Sequence, residues 1–248
     1  MSSKESSKEL TVREHLEEFR RRLTVAALVM VVTTALAFVF HRQLLFLLIA
    51  PAERALGERP PMVFTAATEM LGISMKVALM GGLVLSIPVW VYEIVMFVAP
   101  GLTPKERRLL LMFMPGVFLA FVAGVLFGYF ILIPPGLRFL LTFNTDIAEP
   151  FIGIGNFVNL VINLLFWLGA VFETPVLMFL LAKIGVVNHR TFARWRKMAY
   201  IGAFVLGAAI TPTFDPVNQT LVAVPIILLY ELGIILAWLA RRGKAKGK

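Results

Sequence analysis

Apolar residues along this chain come in long blocks separated by short charged segments, not in the alternation of a strand or the narrow stripe of a surface helix. Residues 23–40 and 109–134 carry no charge and are each long enough to cross a hydrocarbon core of roughly 30 Å. Blocks at 72–98, 158–182, 198–210 and 221–240 bring the candidate spans to six. The pattern predicts an all-α membrane protein of six transmembrane helices in one domain, 1–248, with both termini on one side. The last two helices read as short. Residues 198–210 rise only about 20 Å as a helix, and Pro225 interrupts residues 221–240. No internal repeat stands out.

The segments between the blocks carry their own signals. Thr11 can cap a short amphipathic helix through Leu16, Phe19 and Leu23, expected along the inner surface before the first span. Residues 41–71 contain an apolar run at 44–50, too short for a further span, with breakers at Pro51, Pro60 and Pro61. A folded outer cap is expected there. Pro100, Gly101 and Pro104 predict a stiff, defined loop between the second and third blocks. Gly124 and Gly128 have the spacing that lets two membrane helices approach closely.

Composition agrees with the pattern. The chain is 59% hydrophobic and 16% charged, where soluble domains average about 25% charged residues. All but five of the 24 lysines and arginines lie before the first block, in 105–108, in 183–197 or in the tail. The exceptions are Arg42, Arg54, Arg59, Arg138 and Lys76, the last just inside a span where it can snorkel. Positive residues stay cytoplasmic, so both termini are expected there. The net charge of +9 is then a topology signal and a match to anionic membrane lipid, with no call for nucleic acid. Residues 1–22 lack the short apolar core of a removable leader. With no cysteine and three scattered histidines, neither a disulfide nor a metal site is expected. Gly153-Ile154-Gly155 lacks the third glycine of a nucleotide loop, and no catalytic signature is present, so neither an enzyme nor a cofactor is expected.

Two sets of acids could carry function. Glu17, Glu18 and Glu106 sit among arginines in the inner-face segments. They suit local pairing, Glu18 with Arg22 and Glu106 with Arg107 or Arg108. An arginine-bearing ligand is the functional alternative, because carboxylate and guanidinium match as a two-pronged pair. Glu173 is the only charge within 158–182, and it lies ten residues before Lys183, as Glu231 lies ten before Arg241. Both acids would stand about 15 Å from the inner boundary, forming one polar patch if their helices adjoin. Acids hydrogen-bonded within the bundle, a proton relay, an ion site and a docking point for another membrane helix all fit. Phe97 follows Glu93 by one helical turn and reads as an interfacial anchor.

One family unites these segments. His15-Leu16-Glu17-Glu18-Phe19-Arg20-Arg21-Arg22-Leu23, Phe97-Val98-Ala99-Pro100-Gly101-Leu102 with Glu106-Arg107-Arg108, Phe172-Glu173-Thr174-Pro175-Val176, Thr211-Pro212 with Asp215, and Gln219-Thr220 leading to Pro225 and Glu231 occur in that order. Together they resemble the TatC subunit of the twin-arginine protein translocase. The resemblance implies a receptor in the cell (inner, cytoplasmic) membrane for folded precursors bearing an Arg-Arg signal peptide. It implies single-span TatA- and TatB-type partners, self-association in a larger complex, and transport driven by the proton motive force. It places Glu18 and Glu106 against the twin arginines, with Arg20 and Phe97 shaping that site. Glu173 becomes the intramembrane acid that organises partners, and Asp215, Gln219 and Glu231 fall at matched positions. Phe19 stands where the family usually has leucine, Met96 where tryptophan is frequent, and Glu93 where glutamine is often found. The alternative is a small ion- or proton-coupled secondary transporter using Glu173 and Glu231, although such folds often show inverted repeats.

Overall fold

Backbone amides and carbonyls in hydrocarbon must be satisfied within the chain, so the apolar blocks have little option but helix. In a computed structural model, residues 12–56, 62–98, 102–143, 145, 152–211 and 215–245 are described. Among the described residues, five stretches are long and apolar enough to cross a membrane: Arg13–Val39, Glu69–Val98, Pro104–Thr142, Ile154–Ile184 and Pro216–Ala240.

Helix α1 (Val12–Val39) merges the expected surface helix with the first span. No proline or glycine interrupts it, so nothing makes the chain turn. Thr11, its expected cap, lies outside the described residues. Residues 41–71 do fold, as helix α2 (His41–Leu56) and strand β1 (Met62–Val63). Pro51 sits within α2 as a fully buried residue; Pro60 and Pro61 lie outside the described residues.

Helix α3 (Glu69–Val98) crosses α1 where Thr33 donates to the Gly82 carbonyl at 2.8 Å. Helix α4 (Pro104–Phe127) passes through a wide π turn at Gly128–Leu132 into α5 (Ile133–Thr142). The third block therefore runs further than 134. Pro134 and Pro135 occupy the opening positions of α5, where a missing amide goes unmissed, so the helix resumes.

Strand β2 (Ile152–Gly153) pairs in parallel with β1, Met62 opposite Ile152 and Val63 opposite Gly153. Helix α6 (Ile154–Ile184) is the axis of the molecule, packing on α4 and α9 and carrying the core residues Val158, Val161, Ile162 and Leu168. A β-carbon on Gly124 or Gly128 would come within 3 Å of Leu168, so the pair permits a close α4–α6 approach. Then follow α7 (His189–Arg194), α8 (Arg196–Ile210) and α9 (Pro216–Ala245). Helix α8 is short, at 15 residues. The expectation of a short last helix is wrong: α9 has 30 residues and runs through Pro225 without a break. Its polar first turn extends it beyond the apolar block.

Candidate functional site

The first cluster forms where α1 and α3 meet. Phe97 is no free anchor: its ring stacks on His15 at 4.4 Å between centroids and meets Phe19 edge-on at 5.3 Å. One turn back on α3 is Glu93. Arg22 of α1 reaches it through Nη1 at 2.9 Å and donates to Glu18 Oε1 from Nε at 3.0 Å and Nη2 at 2.6 Å. The Glu18–Arg22 pairing read from spacing is present, and Glu93 is its unforeseen third member. These side chains are sheltered, at 22%, 21% and 13% exposed for Glu18, Arg22 and Glu93. Arg20 is exposed, about 200° around α1 from Arg22. Glu17 pairs at 3.5 Å with Arg13 in the open.

The second acid belongs to the start of α4. Thr103 and Glu106 form a reciprocal capping box, in which Glu106 Oε2 accepts from the Thr103 amide at 2.9 Å and its hydroxyl at 2.8 Å. Two orphan amides of the helix start are thereby satisfied. Arg107 donates to Met96 Sδ at 3.6 Å, tying this turn to the end of α3. Glu106 and Glu18 thus flank the same end of α3. The Pro100-Gly101 part of the expected stiff loop lies outside the described residues.

The intramembrane acids do not share a hydrogen-bonded patch. Both carboxylate oxygens of Glu173 are occluded and have no hydrogen-bond partner. The Phe121 backbone of α4 adjoins them, but its amide belongs to that helix's own ladder. Phe121 also lines an apolar cavity of about 440 Å³, with Leu36, Leu44, Val84, Ile162 and Phe166. Glu231, by contrast, is saturated from α8. Tyr200 donates to its Oε1 at 2.6 Å, and Arg196 pairs with its Oε2 at 2.8 Å. Gln219 donates to the Phe204 carbonyl at 3.0 Å, a further α8–α9 tie. Asp215 caps α9, accepting from the Asn218 amide at 2.7 Å and its side chain at 3.1 Å. Pro212 is outside the described residues. Lys76 is exposed.

At the other end of the bundle, Glu69 accepts from the Thr65 and Ala66 amides, at 2.7 and 3.3 Å, and from the Gly155 amide at 3.2 Å. Tyr129, in the π turn, donates to the Leu47 carbonyl at 2.9 Å while Arg54 lies 5.2 Å from its ring centroid. Neither Arg196 nor Tyr200 carries a sequence signal of its role, since each pairs across helices, and Glu69 binds Gly155 as well as the amides before its own helix. Among the described residues no group of histidine, aspartate and glutamate could hold a metal ion.

Residues 14–225 match the family model described as "Sec-independent protein translocase protein (TatC)". A protein of that name from Carboxydothermus hydrogenoformans is 35% identical over 93% of both chains. Its counterpart from Deinococcus radiodurans is 38% identical over 90% of this chain and 84% of its own. Among solved structures, a crystal structure described as the twin arginine translocase receptor TatC superposes with a TM-score of 0.82. It is 34% identical and covers 92% of this chain and 100% of its own.

Proposed function

The chain belongs to the TatC family of Sec-independent protein translocase proteins, and on that premise we propose that it is the membrane receptor for the Arg-Arg motif of folded precursors. It is a multi-pass membrane protein of a Sec-independent protein translocase. In the proposed role Glu18 and Glu106 face the twin arginines at the cytoplasmic surface, where both termini lie, while Phe97 and Arg20 shape the approach. Glu173, occluded and without a donor, awaits a polar group on a single-span TatA- or TatB-type subunit or on the signal peptide. The proton motive force drives the transport that follows.

The observation that carries this reading is the Glu18–Arg22–Glu93 cluster. At the α1–α3 end, sheltered carboxylates already hold a guanidinium in the geometry that tells arginine from lysine. Glu106 supplies another carboxylate beside the same end of α3. The transporter alternative has less support, because both Glu231 oxygens are committed to Tyr200 and Arg196.

The test is Glu106→Gln. Glutamine at this position keeps the capping box, which accepts either residue, and removes only the charge. The variant should insert normally yet cross-link poorly to a precursor with Arg-Arg, approaching the level of a Lys-Lys control. Undiminished cross-linking at wild-type expression rejects the assignment.

A further inference from the structure

Resting on that reading, we propose that Glu93 is a third carboxylate of the arginine site, held beside Glu18 by Arg22, and that a precursor guanidinium docks on the carboxylate oxygens Arg22 leaves open. The bonds from Arg22 use one oxygen of each acid, Glu18 Oε1 and Glu93 Oε2. Among the described residues, Glu18 Oε2 and Glu93 Oε1 accept no hydrogen bond. Each oxygen retains acceptor capacity suited to an N–H donor.

The charges point the same way. Two carboxylates drawn onto one guanidinium repel each other, and a single positive charge leaves one negative charge over. In a sheltered cluster that surplus is costly until a second cation arrives. Among the described residues Arg22 is the cation that pairs with Glu18 and Glu93; Arg20 and Arg21 are exposed and pair with neither, although Arg21 lines the same cleft as Glu18. Phe97, one turn beyond Glu93 and braced by His15 and Phe19, offers a ring on which an incoming arginine can stack. Arg22 is thus a positioning residue. Its planar fork spans both acids, which the single ammonium of lysine does less well.

The experiment uses the full chain in lipid nanodiscs and two synthetic signal peptides, one with Arg-Arg and one with Lys-Lys. Glu93→Gln should weaken Arg-Arg binding by about tenfold, the effect of losing one charged hydrogen bond, and change Lys-Lys binding little. Glu93→Asp, which keeps the charge, should retain most of the affinity. Arg22→Lys should shrink the ratio of Arg-Arg to Lys-Lys binding, a change that loss of packing alone does not produce. Wild-type affinity in Glu93→Gln, or equal loss in the Gln and Asp variants, overturns this inference and leaves the roles of Glu18 and Glu106 standing. A wild-type chain with no preference for Arg-Arg overturns that broader reading as well.

Discussion

The two acids of the apolar helices face opposite circumstances. Glu231 has a hydroxyl and a guanidinium on its two oxygens, while Glu173 has neither. Removing a partner from a satisfied pair is costly; neutralising an acid that bonds to nothing is not. Arg196→Ala should therefore lower stability by about 1 kcal/mol, a modest figure because its guanidinium is half exposed. Glu173→Gln should stay within about 0.5 kcal/mol of the parent. Thermal unfolding in detergent reads both, and a large loss for Glu173→Gln would mean an internal role. In the proposed function, Glu173→Ala weakens co-purification of partner subunits more than peptide binding; equal loss of both contradicts it. Charge spacing made Glu18, Glu106 and Glu173 legible as candidates. It did not reveal that Glu93 joins Arg22 across 71 residues, since sequence spacing reports only neighbours on the same helix; the Thr103–Glu106 cap, three residues apart, was open to a reading by spacing.

Helices here owe their ends to local chemistry and their positions to close approach. The box at Thr103 satisfies the start of α4, so Thr103→Ala should cost about 1 kcal/mol. A bulky residue at Gly124 would collide with Leu168 and Phe172 of α6. Gly124→Leu should cost about 1–3 kcal/mol through overpacking. Chemical denaturation separates the two, because only the glycine variant should lose the α4–α6 packing reported by Phe127 and Phe172, whose rings lie 5.3 Å apart. The existence of these helices was readable, because charge-free runs leave no other conformation. Their limits were not. Whether a helix continues through polar residues, as in α1, or through two prolines, as in α5, depends on geometry that hydropathy does not encode.

Across the whole molecule, α8 is the odd member: 15 residues rise about 22 Å against a core of roughly 30 Å. The bilayer should thin around it or water should reach its ends. The chain has no cysteine, so spin labels at the exposed positions Trp195→Cys and Ala209→Cys report only those ends. Both labels should be accessible to a water-soluble relaxant in a bilayer of ordinary thickness. A label sealed in hydrocarbon would reject the local thinning. The short α8 was legible from its apolar block, whereas the length of α9 was hidden by a polar first turn that packing, not hydropathy, keeps helical. The small ladder of β1 and β2, with Glu69 bonded to Gly155 across 86 residues, has a consequence for biogenesis. At about 5–20 residues per second, the segment after α2 must wait several seconds for its partner to be synthesised and delivered to the same side of the membrane. Until α6 begins to emerge that segment lacks both the strand and the Gly155 amide that bond it in the finished fold.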